Sequence, residues 1–330
     1  MVLRETDVLP TGPGTPTADA RLVDGAGPDG AIDRDDQSGR PPLPASRLST
    51  TLHYLRRNPR LVAGLLILLG LLLFWLIGSR AMDTTARSRP LSGPPDMEPS
   101  AEYLLGTDTA GRELLPVLIE ATPRAFEVGL LAGFVGLMIG TVLGFVAGYF
   151  GGTADTIIGG LADTLLPIPA LAVLVVIAST IKTNLTVEIM ALIVASLAWM
   201  TPTRTIRAQV LTMRERAYVE VARLSGASSL QIIFRELLPN LSPYLAASFV
   251  SAVGAAVLAS LGLEALGLGP QNEPTLGMTI FWSIYYGALL RGMWWWWGGP
   301  LVVIVLLFTA LFLIAAGLDE IANPRIRRAV

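Results

Sequence analysis

Long runs without a single charged residue constrain this chain more than any other feature. Arg60 to Arg80 encloses LVAGLLILLGLLLFWLIGS, Glu127 to Asp155 encloses a second and longer run, and Asp163 to Lys182 encloses TLLPIPALAVLVVIASTI. Further runs lie between Glu188 and Arg204, Glu236 and Glu264, and Arg291 and Asp319. A helix crossing ~30 Å of hydrocarbon needs about 20 apolar residues, because unpaired backbone groups are not tolerated there. Five runs meet that length, and the fourth meets it only by starting near Leu185. Composition agrees: 52% of residues are apolar and 15% charged, against ~25% charged in ordinary soluble domains. The chain therefore reads as an all-α membrane protein with six transmembrane helices. A seventh apolar stretch, Thr275 to Leu290, leaves almost no room to turn before the last span, so it reads as interfacial or re-entrant.

Several function classes drop out. With no Cys there is no disulfide framework, thiol nucleophile or thiolate metal site. His53 is the single histidine, so a metal-dependent hydrolase is not expected, and no cofactor or nucleic-acid partner is indicated. GxxxxGK[ST], the phosphate-cradling loop of an ATPase, is absent.

Lys and Arg near span ends set orientation. An inside N-terminus puts thirteen basic residues on inner flanks (Arg47, Arg56, Arg57 and Arg60 first among them, Arg325, Arg327 and Arg328 last) against seven on outer flanks. Both termini are thus expected inside. Residues 1–46 are rich in Pro, Gly and Asp, with eight acidic residues against four Arg. Such a segment buries too little apolar area to offset its ordering entropy and is expected to be a disordered inner tail. It is not a signal peptide, lacking a basic start followed by an apolar core. The expected organisation is this tail, then 47–125 with the first span and an outer loop, then a five-helix core over 126–330.

That core contains the one long basic inner loop, residues 204–240. Leu230, Ile233, Phe234, Leu237 and Leu238 recur at the spacing of one helical face, and Gly226 follows Ala222 and Ser225 where a short helix could turn into the next. The loop reads as a helix–turn–helix with small residues at its elbow.

Glu220-Val221-Ala222, three residues, Gly226, nine residues, then Glu236-Leu237-Leu238-Pro239 resembles the cytoplasmic "EAA" signature of ABC importer permeases. YVEVARLSGASSLQIIFRELLPN resembles the version in the dipeptide/oligopeptide/nickel family, in its second (C-type) subunit. LGTDTAGREL (Leu105 to Leu114) and AGYFGGTAD (Ala147 to Asp155) resemble further stretches of that family, as do Asp163, Pro169, Leu266-Gly267-Leu268-Gly269 and Pro324-Arg325. The sequence departs from the pattern at Gly159-Gly160, Glu236, Ser260, Glu264-Ala265 and Pro274-Thr275.

The resemblance implies the type I ABC importer permease fold, with the elbow as a cytoplasmic coupling loop. It implies a subunit without ATPase chemistry in a prokaryotic plasma (inner) membrane, forming half of a translocation route for oligopeptides or dipeptides. Nickel complexes or oligosaccharides remain open as cargo, and an ion-coupled secondary transporter is the rival from another class. The implied partners are membrane lipid, a second homologous permease, two ABC ATPase subunits and an extracellular or periplasmic binding protein. Glu220, Ala222, Arg223, Gly226, Ala227 and Ser228 would face the ATPase subunit.

Three smaller features complete the reading. Gly129, Gly133, Gly136, Gly140, Gly144 and Gly148 recur every three or four residues, a seam for close packing in lipid against another span or a partner permease. Trp294 to Trp297 suit an aromatic belt at the outer interface. Glu188 and Glu264 are expected at interfaces.

Overall fold

The structure, a computed structural model, describes residues 58–181 and 184–322. The tail 1–46, His53, the basic residues Arg47, Arg56, Arg57 and Lys182, and the terminal Pro324-Arg325, Arg327 and Arg328 lie outside them. Among the described residues four helices are long and apolar enough to cross a membrane: α1 (Pro59–Ala81), α3 (Leu114–Phe145, continued by a π-helical turn, Val146–Phe150), α10 (Leu238–Ala265) and α12 (Trp294–Ala322). Two bent pairs bring the count to six if each is one span. They are α4 (Gly152–Leu165) with α5 (Ala170–Thr180), bent by 87°, and α6 (Val187–Ala198) with α7 (Met200–Arg214), bent by 41°.

The third run is therefore not the continuous span its hydropathy suggests. Pro167 and Pro169 deny the backbone two donors, and the helix breaks between Leu165 and Ala170, so α5 keeps only 11 residues. The stretch 275–290 forms α11 (Leu276–Tyr285), whose ten residues reach about 15 Å and cannot span.

The order of packing follows from the glycines of α3. A Cβ on Gly133 would lie 2.8 Å from the Val253 amide nitrogen of α10, and one on Gly136 would lie 2.5 Å from the Ala198 Cβ of α6. Gly140 meets Trp199 and Pro202 at the α6–α7 bend, and Gly144 and Gly148 meet Ile206 and Val210 of α7. The stripe is thus a seam within the chain: its first two glycines hold α10, and the other four hold the bent pair. Lipid supplies no hydrophobic drive between helices, so such close approach is what holds them together. Leu71, Leu118, Val253 and Leu307 join α1, α3, α10 and α12 in one core, and Arg60 pairs with Glu320 at 2.8 Å across α1 and α12.

At one end, residues 82–113 fold around a one-turn helix, α2 (Thr84–Arg87). LGTDTAGREL builds this lid from within. Thr107 Oγ1 donates to Pro94 O at 2.6 Å and accepts from Met97 N at 2.9 Å, while Asp108 accepts from the Arg112 backbone and guanidinium at 2.9 and 2.7 Å. Gly106 has φ +69, and a Cβ there would lie 2.4 Å from Met97 O.

Trp295 and Trp296 do not join a belt. They are buried with Leu114, Ala288 and Met293, and Trp296 stacks on Tyr286; of the four tryptophans only Trp294 is largely exposed. Glu188 is exposed in the first turn of α6. Glu264 is only 4% exposed: it ends α10 and accepts from Gly277 N at 2.9 Å, meeting the positive N-terminus of α11.

Candidate functional site: the elbow between α7 and α10

At the opposite end α7 leads into α8 (Ala217–Leu224), a turn, α9 (Ser229–Ile232), a π-helical turn (Ile233–Leu237) and then α10. The signature residues build the turn. Gly226 N donates to Arg223 O and Ala227 N to Ala222 O, both at 3.1 Å, the paired bonds that close a helix through a left-handed residue. That residue is Gly226, at φ +83, a conformation costly to any residue with a Cβ. Ser228 opens the next helix with a capping box: its Oγ accepts from Gln231 N at 3.4 Å, and its own N–H donates to Gln231 Oε1 at 2.9 Å.

Val219 anchors the elbow, buried against Ile206 and Val210 of α7 and Ile232 and Leu237 beyond the turn, with Ala222 and Ala227 packed on the same cluster. Glu220 and Arg223 point outward, exposed, with no side-chain hydrogen bond or ion pair among the described residues. Glu220 lies in the first turn of α8 and Arg223 in the last, each favourably placed in the helix dipole. Other exposed apolar side chains lie on the elbow, of which periodicity singles out Leu230 and Phe234 but not Val221 and Leu224. Leu224 is 82% exposed and Val221 62%, with Leu230 and Phe234 alongside. The expected single apolar face is therefore divided: Ile233 and Leu237 go inward, while Leu230 and Phe234 stay outside. The π turn, with its wider i→i+5 pitch, carries this change of register.

An elbow of two capped helices, anchored by one buried valine and presenting bare apolar and charged groups, sits on a bundle of membrane-length helices. Residues 140–328 match the family described as "Binding-protein-dependent transport system inner membrane component". The chain belongs to this family. An oligopeptide transport system permease protein OppC of Lactococcus lactis subsp. cremoris is 32% identical over 54% of this chain and 60% of its own length. A dipeptide transport system permease protein DppC of Bacillus subtilis is 30% identical over 83% of this chain and 84% of its own. One inward-facing structure of the MetNI methionine ABC transporter superposes with a TM-score of 0.52 at 20% identity, covering 62% of this chain and 94% of that one. It shares the fold.

In this permease the elbow is tied to the bundle by arginines of α7. Arg207 makes a two-pronged contact with Asp155 of α4, Arg214 Nη1 donates to Gly148 O at 2.8 Å, and Arg204 lies 3.6 Å from Asp163. The carboxylates were visible in AGYFGGTAD and at Asp163, but their partners lie some 40 to 60 residues on, where no local pattern links them. All six predicted coupling residues fall on α8 and its turn. Ala222, Gly226, Ala227 and Ser228 shape it, whereas Glu220 and Arg223 are displayed by it.

Proposed function

We propose that this permease is one transmembrane half of an ATP-driven importer, and that the elbow docks on a separate nucleotide-binding subunit. The observation that carries this is the rigid turn at Gly226 presenting Glu220, Arg223, Val221 and Leu224 unpartnered at the end of a membrane bundle. A contiguous exposed apolar patch with charges at its rim suits a protein interface. Nucleotide-driven closure would pull α8, and α7, clamped to α4 by Arg207–Asp155, would transmit the movement. Access then alternates as a two-state shift, needing a few kcal/mol of differential binding.

The elbow then faces the cytoplasm, the 82–113 lid faces outward, and both termini lie inside. The remaining partners are a second homologous permease and an external binding protein, in a prokaryotic inner membrane. Peptides are the favoured cargo, since relatives named for oligopeptide and dipeptide transport align over this chain. Because the chain has no Cys, Ser228→Cys gives a unique thiol. Cross-linking of that thiol to a co-purified ATPase subunit, with labelling only from the cytoplasmic side, is the expected result. Labelling only from outside, or no ATPase neighbour, overturns the reading.

A further inference from the structure

A trough of about 1030 Å³ runs between α1 and α3 and contains no residue of the elbow. Its α1 wall is Leu65, Leu69, Leu72 and Trp75, at the steps of one helical face, and covers about 15 Å. Leu130 and Phe134 stand on the α3 wall, and Phe249 of α10 also lines it. Apolar side chains exposed in this way are ordinary where a helix meets lipid. Glu127 is not. It lines the same trough, is exposed, and makes no hydrogen bond or ion pair among the described residues.

Packing sets the depth of that carboxylate. Gly78 lies two residues short of the Arg80 that closes the first apolar run, and a Cβ there would be 2.6 Å from Ile119 Cδ1. From Ile119, α3 runs about 12 Å further to Glu127, and Ala125 shares a core with Leu71 near the middle of α1. Glu127 therefore opens sideways from within the hydrocarbon thickness of ~30 Å, not from its edge. Thr122, in the same lining, is settled: its hydroxyl donates to Leu118 O at 2.7 Å. A charge left alone at such a depth is costly, and charges found there are paired.

We propose that the trough seats a membrane-crossing helix of a different chain, one that brings a single Lys or Arg to Glu127. A lipid amine belongs at the interface, level with Arg80, and would have to sink about 12 Å to arrive. A second copy of this chain has nothing to offer, since its spans are the runs without Lys or Arg. A basic side chain on a neighbouring helix arrives at the right depth and is itself relieved of standing unpaired in lipid. Trp75 gives the cation an aromatic face on the opposite wall. The pair also selects the partner, because a helix without the cation would cover Glu127 and leave it alone. This face is not the elbow, and the proposal stands or falls apart from the importer reading.

The test uses the full chain, purified and placed in phosphatidylcholine vesicles at neutral pH. Because the chain has no Cys, Ile77→Cys, exposed on α1 outside the trough, carries a single donor dye. The probes are two synthetic Leu/Ala helices of about 22 residues with an acceptor dye. They are identical save for Lys or Leu placed about 12 Å from one end. Energy transfer should show the Lys helix binding about tenfold tighter than the Leu helix. Glu127→Gln should erase that difference, and Glu127→Lys should instead favour the same helix with Glu in place of its Lys. Since Glu127 is exposed, both variants should keep the thermal stability of the parent, which shows that they are folded. Equal binding of the two helices by the unaltered chain overturns the proposal, as does a preference that survives Glu127→Gln. Adding phosphatidylethanolamine to the vesicles should leave binding unchanged; competition by it would give Glu127 to a lipid headgroup and overturn the proposal. Energy transfer between two labelled copies of the chain, abolished by Glu127→Gln, would make the occupant a second copy and overturn it as well.

Discussion

Gly226 separates what the elbow needs in order to fold from what it needs in order to dock. Its φ of +83 is unfavourable for an L residue, yet a Cβ built there meets nothing within 4 Å. The cost of substitution is therefore backbone strain alone, about 1–2 kcal/mol, and is the same for Ala as for Trp. Gly226→Asn should cost less, because its short polar side chain tolerates the left-handed region. The expected outcome is that Gly226→Ala and Gly226→Trp purify in equal yield and lose similar thermal stability. ATPase co-purification and ATP-dependent uptake should persist in Ala and collapse at least tenfold in Trp, whose indole would stand on the exposed elbow. Uptake by the Trp variant equal to that of Ala would refute docking at this turn. A much larger loss of stability in Trp than in Ala would refute the open geometry on which the comparison depends.

Gly133→Leu should disrupt the bundle, since even its Cβ would meet the Val253 backbone; overpacking costs about 1–3 kcal/mol or more where backbone must move, and loss of folded yield in detergent measures it. Glu264→Ala should destabilise by about 1–3 kcal/mol by stranding the Gly277 N–H, with Glu264→Gln milder; thermal unfolding of the two variants checks the order. Burial alone would raise the Asp96 carboxyl, but hydrogen bonds from Arg291 and Thr109 and the Arg291 charge hold it below the usual carboxylate range. Its folded-state value being depressed, its contribution is present above the ordinary carboxylate pKa and fades as pH falls through the lowered value. Asp96→Asn should therefore flatten the acid limb of the lid's stability, as read by proteolysis of residues 82–113. Reversing the pair as Asp155→Arg with Arg207→Asp should restore uptake lost in either single variant; failure of the double variant would count against a clamp between α4 and α7.

The apolar runs located the four long helices because hydropathy alone decides what can lie in lipid. They gave no sign of the 87° bend in the third span, because Pro167 and Pro169 act through backbone geometry, which a hydropathy window does not register. The elbow was legible because its shape is local: the bonds Ala227 to Ala222, Gly226 to Arg223 and Ser228 to Gln231 each close over five residues or fewer. Its ties to the bundle were not, because Asp155 and Arg207 meet only after two helices have folded back. The tryptophan run was misread for the same reason, since Leu114, which helps bury it, lies some 180 residues earlier in the chain.

The glycine stripe of α3 also limits how a transporter can be assembled around this chain. Each of those six residues is already occupied by α10, α6 or α7, so that flank of α3 is closed to any outsider. The other flank, where Leu130, Phe134, Met138 and Val142 stand exposed one turn apart, carries bulk instead of hollows. A companion subunit that reached α3 would have to grip ridges there, and would need hollows of its own to receive them.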